Sequence, residues 1–132
     1  MRTITNIVSV VFLILIFSCN TKLEKLQNTK MSIETSIHNF GNIPAKKEVT
    51  TIFIFENTGE HPLLISDVKT SCGCTVPEWP KEKIKSGNKG EIKVIYDAKY
   101  PGRFTKTISV FYNGKDSPKE LIIKGEVAYP EE

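Results

Sequence analysis

From Met31 onward, polar and apolar positions alternate with the two-residue period of strands that keep one face wet. Ile33, Thr35 and Ile37 share a face. Phe40-Gly41-Asn42-Ile43-Pro44 then predicts a kink, with Gly41 and Pro44 as breakers. Residues 48–56 (EVTTIFIFE) make the strongest strand, β-branched and aromatic throughout and apolar on both faces near Ile52 and Phe55. Asn57-Thr58-Gly59-Glu60 closes it as a turn in which Asn and Gly tolerate positive φ. Pro62 opens the next run, which ends at Val68 and leads into Thr70-Ser71-Cys72-Gly73-Cys74-Thr75.

The segment Val76-Pro77-Glu78-Trp79-Pro80 is too rich in proline for a central strand and reads as a link toward the turn cluster Ser86-Gly87-Asn88-Lys89-Gly90. Ile92, Val94 and Tyr96 share one face of the next strand, with Glu91 and Lys93 on the other. After Tyr100-Pro101-Gly102, the residues Phe104, Ile108, Val110 and Tyr112 share a face on which Lys106 is the misfit. Asn113-Gly114 signals a two-residue hairpin, with residues 115–118 available for a longer loop. In the last strand Leu121, Ile123 and Val127 point inward, and Gly125 on the same face predicts close packing or a bulge. About seven short strands at this turn spacing predict an all-β fold, an immunoglobulin-like antiparallel β-sandwich. Cys72 and Cys74 sit in one segment, so no disulfide between them can pin sheet to sheet.

Upstream, residues 7–17 (IVSVVFLILIF) are apolar apart from Ser9. The run falls short of the roughly 20 residues a membrane span requires and matches the apolar centre of a secretory signal peptide. Its end, Ile16-Phe17-Ser18-Cys19, resembles the lipobox of bacterial lipoproteins. That resemblance implies cleavage after Ser18 and lipidation of Cys19; two or more acyl chains hold stably where one anchors only marginally. Residues 20–30 are polar, and Leu23 and Leu26 are too few to hold a helix in water. The expected organisation is a signal peptide over 1–18, a tether over 19–30, the sandwich over 31–128 and a tail over 129–132. The expected location is the bacterial cell envelope, anchored to membrane through the lipid on Cys19 and facing periplasm or surface. Asn20 is not acidic and leans delivery toward the outer membrane.

Lys and Arg total 18 against 15 Asp and Glu, spread along the chain. Without a like-charge run or aromatic–basic interleaving, nothing points to nucleic acid. No cofactor or small-molecule substrate is suggested either. With 39% hydrophobic residues the chain can build one modest core.

Once Cys19 is lipidated, Cys72 and Cys74 are the remaining thiols, and three roles stay open for them. They can pair, since residues i and i+2 of an extended segment point the same way and Gly73 frees the backbone between them. A ring so small closes almost no loop, and the strain expected in it would make it readily reduced. They can bind a soft metal such as Cu(I), although two thiolates are too few for structural zinc and His38 and His61 each stand alone. They can be buried thiols, or a bridge that shapes a loop. An exported chain meets oxidising surroundings, which favours the bridge. No histidine neighbours them in sequence, and the C-x-x-C of thioredoxin-like enzymes is absent.

The succession Phe40-Gly41-x-Ile43, Phe53-x-Phe55-x-Asn57-Thr58-Gly59, Pro62-Leu63-Leu64-Ile65, Ser71-Cys72-Gly73-Cys74-Thr75, Gly90-x-Ile92-x-Val94-x-Tyr96, Gly102-x-Phe104-x-Lys106 and Ile123-Lys124-Gly125-x-Val127 resembles the bacterial domain-of-unknown-function family numbered 1573. The resemblance implies an immunoglobulin-like sandwich related to hydin-type and major-sperm-protein-like domains, which are mostly protein-binding or scaffolding modules. It carries over no catalytic residue. Where that family commonly has Pro-Gly, this chain has Ser86-Gly87. The resulting expectation is a non-enzymatic, lipid-anchored envelope domain that binds or scaffolds an unidentified envelope protein. Contact would run through a sheet edge or through the loop of Cys72 and Cys74, with Ser71, Thr75 and Trp79. Trp79 between prolines suits a rigid interface anchor, and it suits still better a cap over the open end of the core. The rivals are a thiol–disulfide redox protein and a Cu(I)-binding protein, both using Cys72 and Cys74.

Overall fold

The structure is a computed structural model and describes residues 26–131. The expected signal peptide, the lipidation site Cys19 and most of the tether lie outside the described residues. Among the described residues eight strands are present: β1 (Met31–Ile33), β2 (Ile37–Ile43), β3 (Glu48–Asn57), β4 (Ile65–Thr70), β5 (Thr75–Glu78), β6 (Lys89–Asp97), β7 (Gly102–Tyr112) and β8 (Lys119–Val127). They form two four-stranded sheets, ordered β1-β3-β6-β5 and β2-β8-β7-β4. The expected sandwich is therefore the observed one. Two features raise the strand number above the expected seven. The first alternating run splits into β1 and β2, and the proline-rich link contains β5.

The split has a physical use. Residues 34–36 carry the chain from one sheet to the other, so a single run edges both. β1 lies antiparallel to β3 near Asn57, whereas β2 lies parallel to β8, the exception among the strand pairs. The expected kink falls inside β2: register shifts between Asn39 and Asn42, and Gly41 takes φ +67°, a conformation that glycine reaches at no steric cost. The bulge pushes the Gly41 carbonyl against Gly125, where a Cβ would come within 2.9 Å of that oxygen and of the Phe104 ring. Gly125 is thus the close-packing position its inward placement predicted. β5 is an edge strand, where Pro77 costs no ladder bond on its free side.

The core lies between the sheets. Phe53, Phe55, Ile92 and Val94 of one sheet face Ile108, Val110, Leu121 and Ile123 of the other, all at 3% exposure or less. Each such side chain contributes about 1.5–3 kcal/mol relative to exposure. Tyr96 and Phe104 stack across the layers with ring centroids 4.0 Å apart. Lys106, the misfit, is half-buried beyond the end of β4, whose pairing with β7 stops at Thr70 and Ile108. Its stem can lie on apolar surface while the ammonium reaches water.

Three local expectations change. The last residues expected in the tether are docked. Thr29 N donates to Asn113 O (2.9 Å), Asn113 Nδ2 donates to Gln27 O (2.8 Å), and Thr58 N donates to Lys30 O (3.0 Å). The folded body therefore reaches back at least to Gln27, because these groups find partners there. The turn after β3 uses no positive φ at Asn57 or Gly59; Asn57 is instead wholly buried. Asn113 and Gly114 also lack the positive φ of a two-residue hairpin, and the chain takes the longer alternative, closed by Ser117 N donating to Gly114 O (3.2 Å).

Candidate functional site: the cysteine crossover

β4 and β5 belong to different sheets, so the connection between them crosses the sandwich. That connection is Ser71-Cys72-Gly73-Cys74, and Cys72 and Cys74 are joined by a disulfide. The bond fits two of the readings open from the sequence, a local pair and a bridge that shapes a loop. Both cysteines are half-buried, Gly73 is exposed, and Cys74 packs against the core.

The strands on either side hold the loop. Ser71 continues the β4–β7 ladder: its N–H donates to Thr107 O (3.0 Å) and its hydroxyl accepts from Thr107 N (3.1 Å). Thr70 Oγ1 donates to Cys72 O at 2.9 Å, and Thr75 O lies 3.3 Å from the same hydroxyl. Thr75 N donates to Cys72 O (3.4 Å), and Asp97 N donates to Cys74 O (2.9 Å), which binds the loop to the end of β6. The hydrogen-bonding groups at Cys72 Sγ are the Cys74 amide (3.3 Å) and the Thr75 hydroxyl (3.6 Å). Neither is a base or a cation of the kind that activates a thiolate.

The structure separates the residues proposed from sequence. Ser71 is exposed beside the bridge. Thr75 is only 3% exposed, paired with Tyr96 at the edge of the core. Its side chain turns inward to the loop it supports and presents almost no surface. Trp79 follows β5 and lies five residues from Cys74, roughly 16 Å at the ~3.3 Å rise of a strand. It is half-buried against the core, with Lys81 Nζ 3.0 Å above its ring centroid and its indole Nε1 buried without a hydrogen-bond partner. That packing is the arrangement expected of a cap over the core. Thr70, Asp97 and Thr107, which hold the loop, were missed in the sequence. The threonines flanking Ser71 to Cys74 were a readable signal for Thr70, but nothing local marked Asp97 or Thr107.

His38 lies on β2, its ring 4.5 Å from that of Phe40, and His61 lies in the β3–β4 connection. Among the described residues no three His, Cys, Asp or Glu side chains group closely enough to hold a metal ion.

The docked N-terminal residues and the disulfide occupy opposite ends of the sandwich. Thr29 and Lys30 meet Asn57 and Thr58 at the end of β3, while Glu48 at its start pairs with Asp97 beside the cysteine loop. Ten residues of β3 separate them, about 30 Å.

Two four-stranded sheets packed face to face, with a crossover between β4 and β5, define the class: an immunoglobulin-like β-sandwich. The PapD-like domain 7 of human CEP192 superposes with TM-score 0.67 at 9% identity, covering 86% of this chain and 96% of that one. A protein of unknown function from Porphyromonas gingivalis W83 gives TM-score 0.67 at 16% identity over 81% of this chain; the chain spans only 50% of that protein. The CsuC–CsuE chaperone–tip adhesion subunit pre-assembly complex of Acinetobacter baumannii gives TM-score 0.53 at 15% identity, covering 74% of this chain and 57% of that one. No curated protein matches. Residues 31–127 match the model described as "Protein of unknown function (DUF1573)", and the chain belongs to that family.

Proposed function

We propose that this chain is a non-enzymatic, lipid-anchored domain of the cell envelope that binds or scaffolds another protein. The observation that carries the reading is the polarity of the sandwich. Its N-terminal residues are bound at one end, and the closed cysteine loop is presented at the other. A lipid on Cys19 would leave seven residues, 20–26, before the docked Gln27. Fully extended, these reach at most about 25 Å, so the docked end faces the bilayer and the cysteine end faces away from it. The sulfurs are bonded to each other, which occupies both as nucleophiles and as ligands for Cu(I) in this state. A chain of similar fold occurs within a chaperone–tip adhesion subunit pre-assembly complex, which supports a role as a protein-binding body.

The test is made in cells. The chain should fractionate with membrane, and Cys19→Ala should release it. A photo-crosslinking residue at Ser71 should yield a discrete protein adduct, whereas one at Lys30, beside the bilayer, should not. A Cys19→Ala chain that remains on the membrane contradicts the anchor. Absence of any adduct from the cysteine end contradicts the binding role.

A further inference from the structure

One stretch of β3 has no strand beside it. In an antiparallel ladder the N–H and C=O of a residue point to the same side, and the side alternates along the strand. Asn57 uses both its groups on the β6 side, toward Asn88 and Gly87. Ile54 O accepts from Glu34 N (3.1 Å) on the opposite side. By the same alternation, Thr50 and Ile52 turn their backbone groups away from β6. β1 pairs only with residues 55–57 and the chain then crosses to the other sheet, so among the described residues nothing pairs with Thr50 or Ile52 on that side. A cleft of about 110 Å³ opens there, lined by Glu34, Thr35, Ile37, His38, Thr51 and Phe53 among others. Ile52 and Ile37 beside it are 52% and 48% exposed.

We propose that this stretch of β3 is a strand-addition site for an extended, unfolded segment of a partner protein. The segment is apolar at alternate positions and carries a carboxylate at the end that meets Lys46 and Lys47. The inference rests on the protein-binding reading above and adds a second contact, on the sheet edge away from the cysteine loop. An added strand running antiparallel to β3, as β1 does, satisfies the free backbone groups and sets one apolar side chain at the cleft. Lys46 and Lys47 are exposed in the turn before β3 and have no acidic partner among the described residues. They outnumber the adjacent Glu48, so the local charge there is positive. In the register that pairs Thr50 with Ile52, a second copy does not fit. Antiparallel pairing of β3 with β3, with Thr50 opposite Ile52, sets the partner's Glu48 against Ile54, where Glu34 already sits. The occupant must be able to leave the edge at Ile54, which a free segment can do.

The probe is a hexapeptide alternating threonine and valine and ending in glutamate, added at millimolar concentration to the ¹⁵N-labelled exported chain. Amide exchange at Thr50 and Ile52 should be fast in the free protein and slow about tenfold or more with the peptide. N-methylation of the peptide on the edge facing β3 should abolish the effect, and methylation on the far edge should not. Thr50→Pro should abolish it too; if that variant does not fold, the methylated peptides still decide, since they leave the protein untouched. No slowing, or equal slowing with both methylated peptides, overturns the proposal. So does protection of Thr50 and Ile52 in the free chain that is lost on dilution, which would mean that a second copy occupies the edge. If crosslinks from Ser71 persist while the peptide has no effect, the edge assignment fails and the binding role stands.

Discussion

At Asn57 one buried amide joins three segments. Its Nδ2 donates to His61 O (2.8 Å) and Ile84 O (2.9 Å), and its Oδ1 accepts from Thr29 Oγ1 (2.7 Å) and Gly59 N (3.1 Å). All its hydrogen-bonding capacity is used, as burial requires. Asn57→Ala removes four bonds and leaves buried groups unpaired, so unfolding in urea should show a loss of about 3 kcal/mol. Gly59 is required for a different reason: a Cβ there would land on Thr29 Oγ1 and the Lys30 amide. Gly73, between the cysteines, is the opposite case. It has nothing within 4 Å of an added Cβ and no positive φ. Gly73→Ala should therefore keep the disulfide and change stability by less than about 0.5 kcal/mol. The Asn-Thr-Gly and Cys-Gly-Cys triplets look alike as loop chemistry in the sequence. What separates them is whether another segment packs on the glycine, and that contact comes from residues about thirty positions away.

Among the elements, β1 is the shortest and depends on its surroundings. Its Met31 N donates to the hydroxyl of Tyr112 (3.1 Å), that hydroxyl donates to Asp116, and Lys119 Nζ sits 2.6 Å from the other carboxylate oxygen. Lys119 first, and Tyr112 next, hold the Asp116 carboxyl below its ordinary 3.8. The folded chain thus binds this proton more weakly than the unfolded one. The stability it contributes is present above pH 3.8 and is lost as pH falls from there through the folded value. Asp116 is exposed enough for solvent to keep that contribution small. Burial first, and the bond to Asp116 next, push Tyr112 from 10.0 up to about 12. Its contribution is complete below pH 10 and is lost as pH rises toward about 12. Urea midpoints measured across pH should show both limbs, with Tyr112→Phe flattening the alkaline one and Asp116→Asn the acid one.

The elements also show how far the sequence could be read. Alternation placed β3, β6, β7 and β8 because a strand with one buried face carries its pattern locally. It could not place the break in the first run. Ile33 and Ile37 keep the same phase on either side of residues 34–36, and the switch between sheets is decided by which edge each half can pair with. β5 was hidden by Pro77, which is excluded from central strands and tolerated at an edge; edge or centre is a property of topology. Within the site, the cysteines and their neighbours were legible, but the inward turn of Thr75 and the distance to Trp79 followed only from the path of β5.

For the whole molecule, the crossover from β4 to β5 is, among the described residues, the one connection closed by a covalent bond, and that bond spans two residues. The loop-closure argument limits its contribution to about 1–2 kcal/mol. Replacing both cysteines with serine should lower the thermal midpoint by a few degrees and leave far-ultraviolet dichroism unchanged. The sandwich is held by its packed faces. The bridge fixes the shape of the end that points away from the docked N-terminus. That assignment treats the cysteine pair as architecture on a binding module, and turnover tests it most directly. The oxidised chain is mixed with a reduced protein substrate and a regenerating oxidant, beside its Cys72→Ser/Cys74→Ser counterpart, and substrate disulfides are counted per chain. The account predicts no more than one bridge exchanged per molecule and no difference in steady-state rate between the two chains. Sustained multiple turnovers that disappear in the serine variant would contradict it.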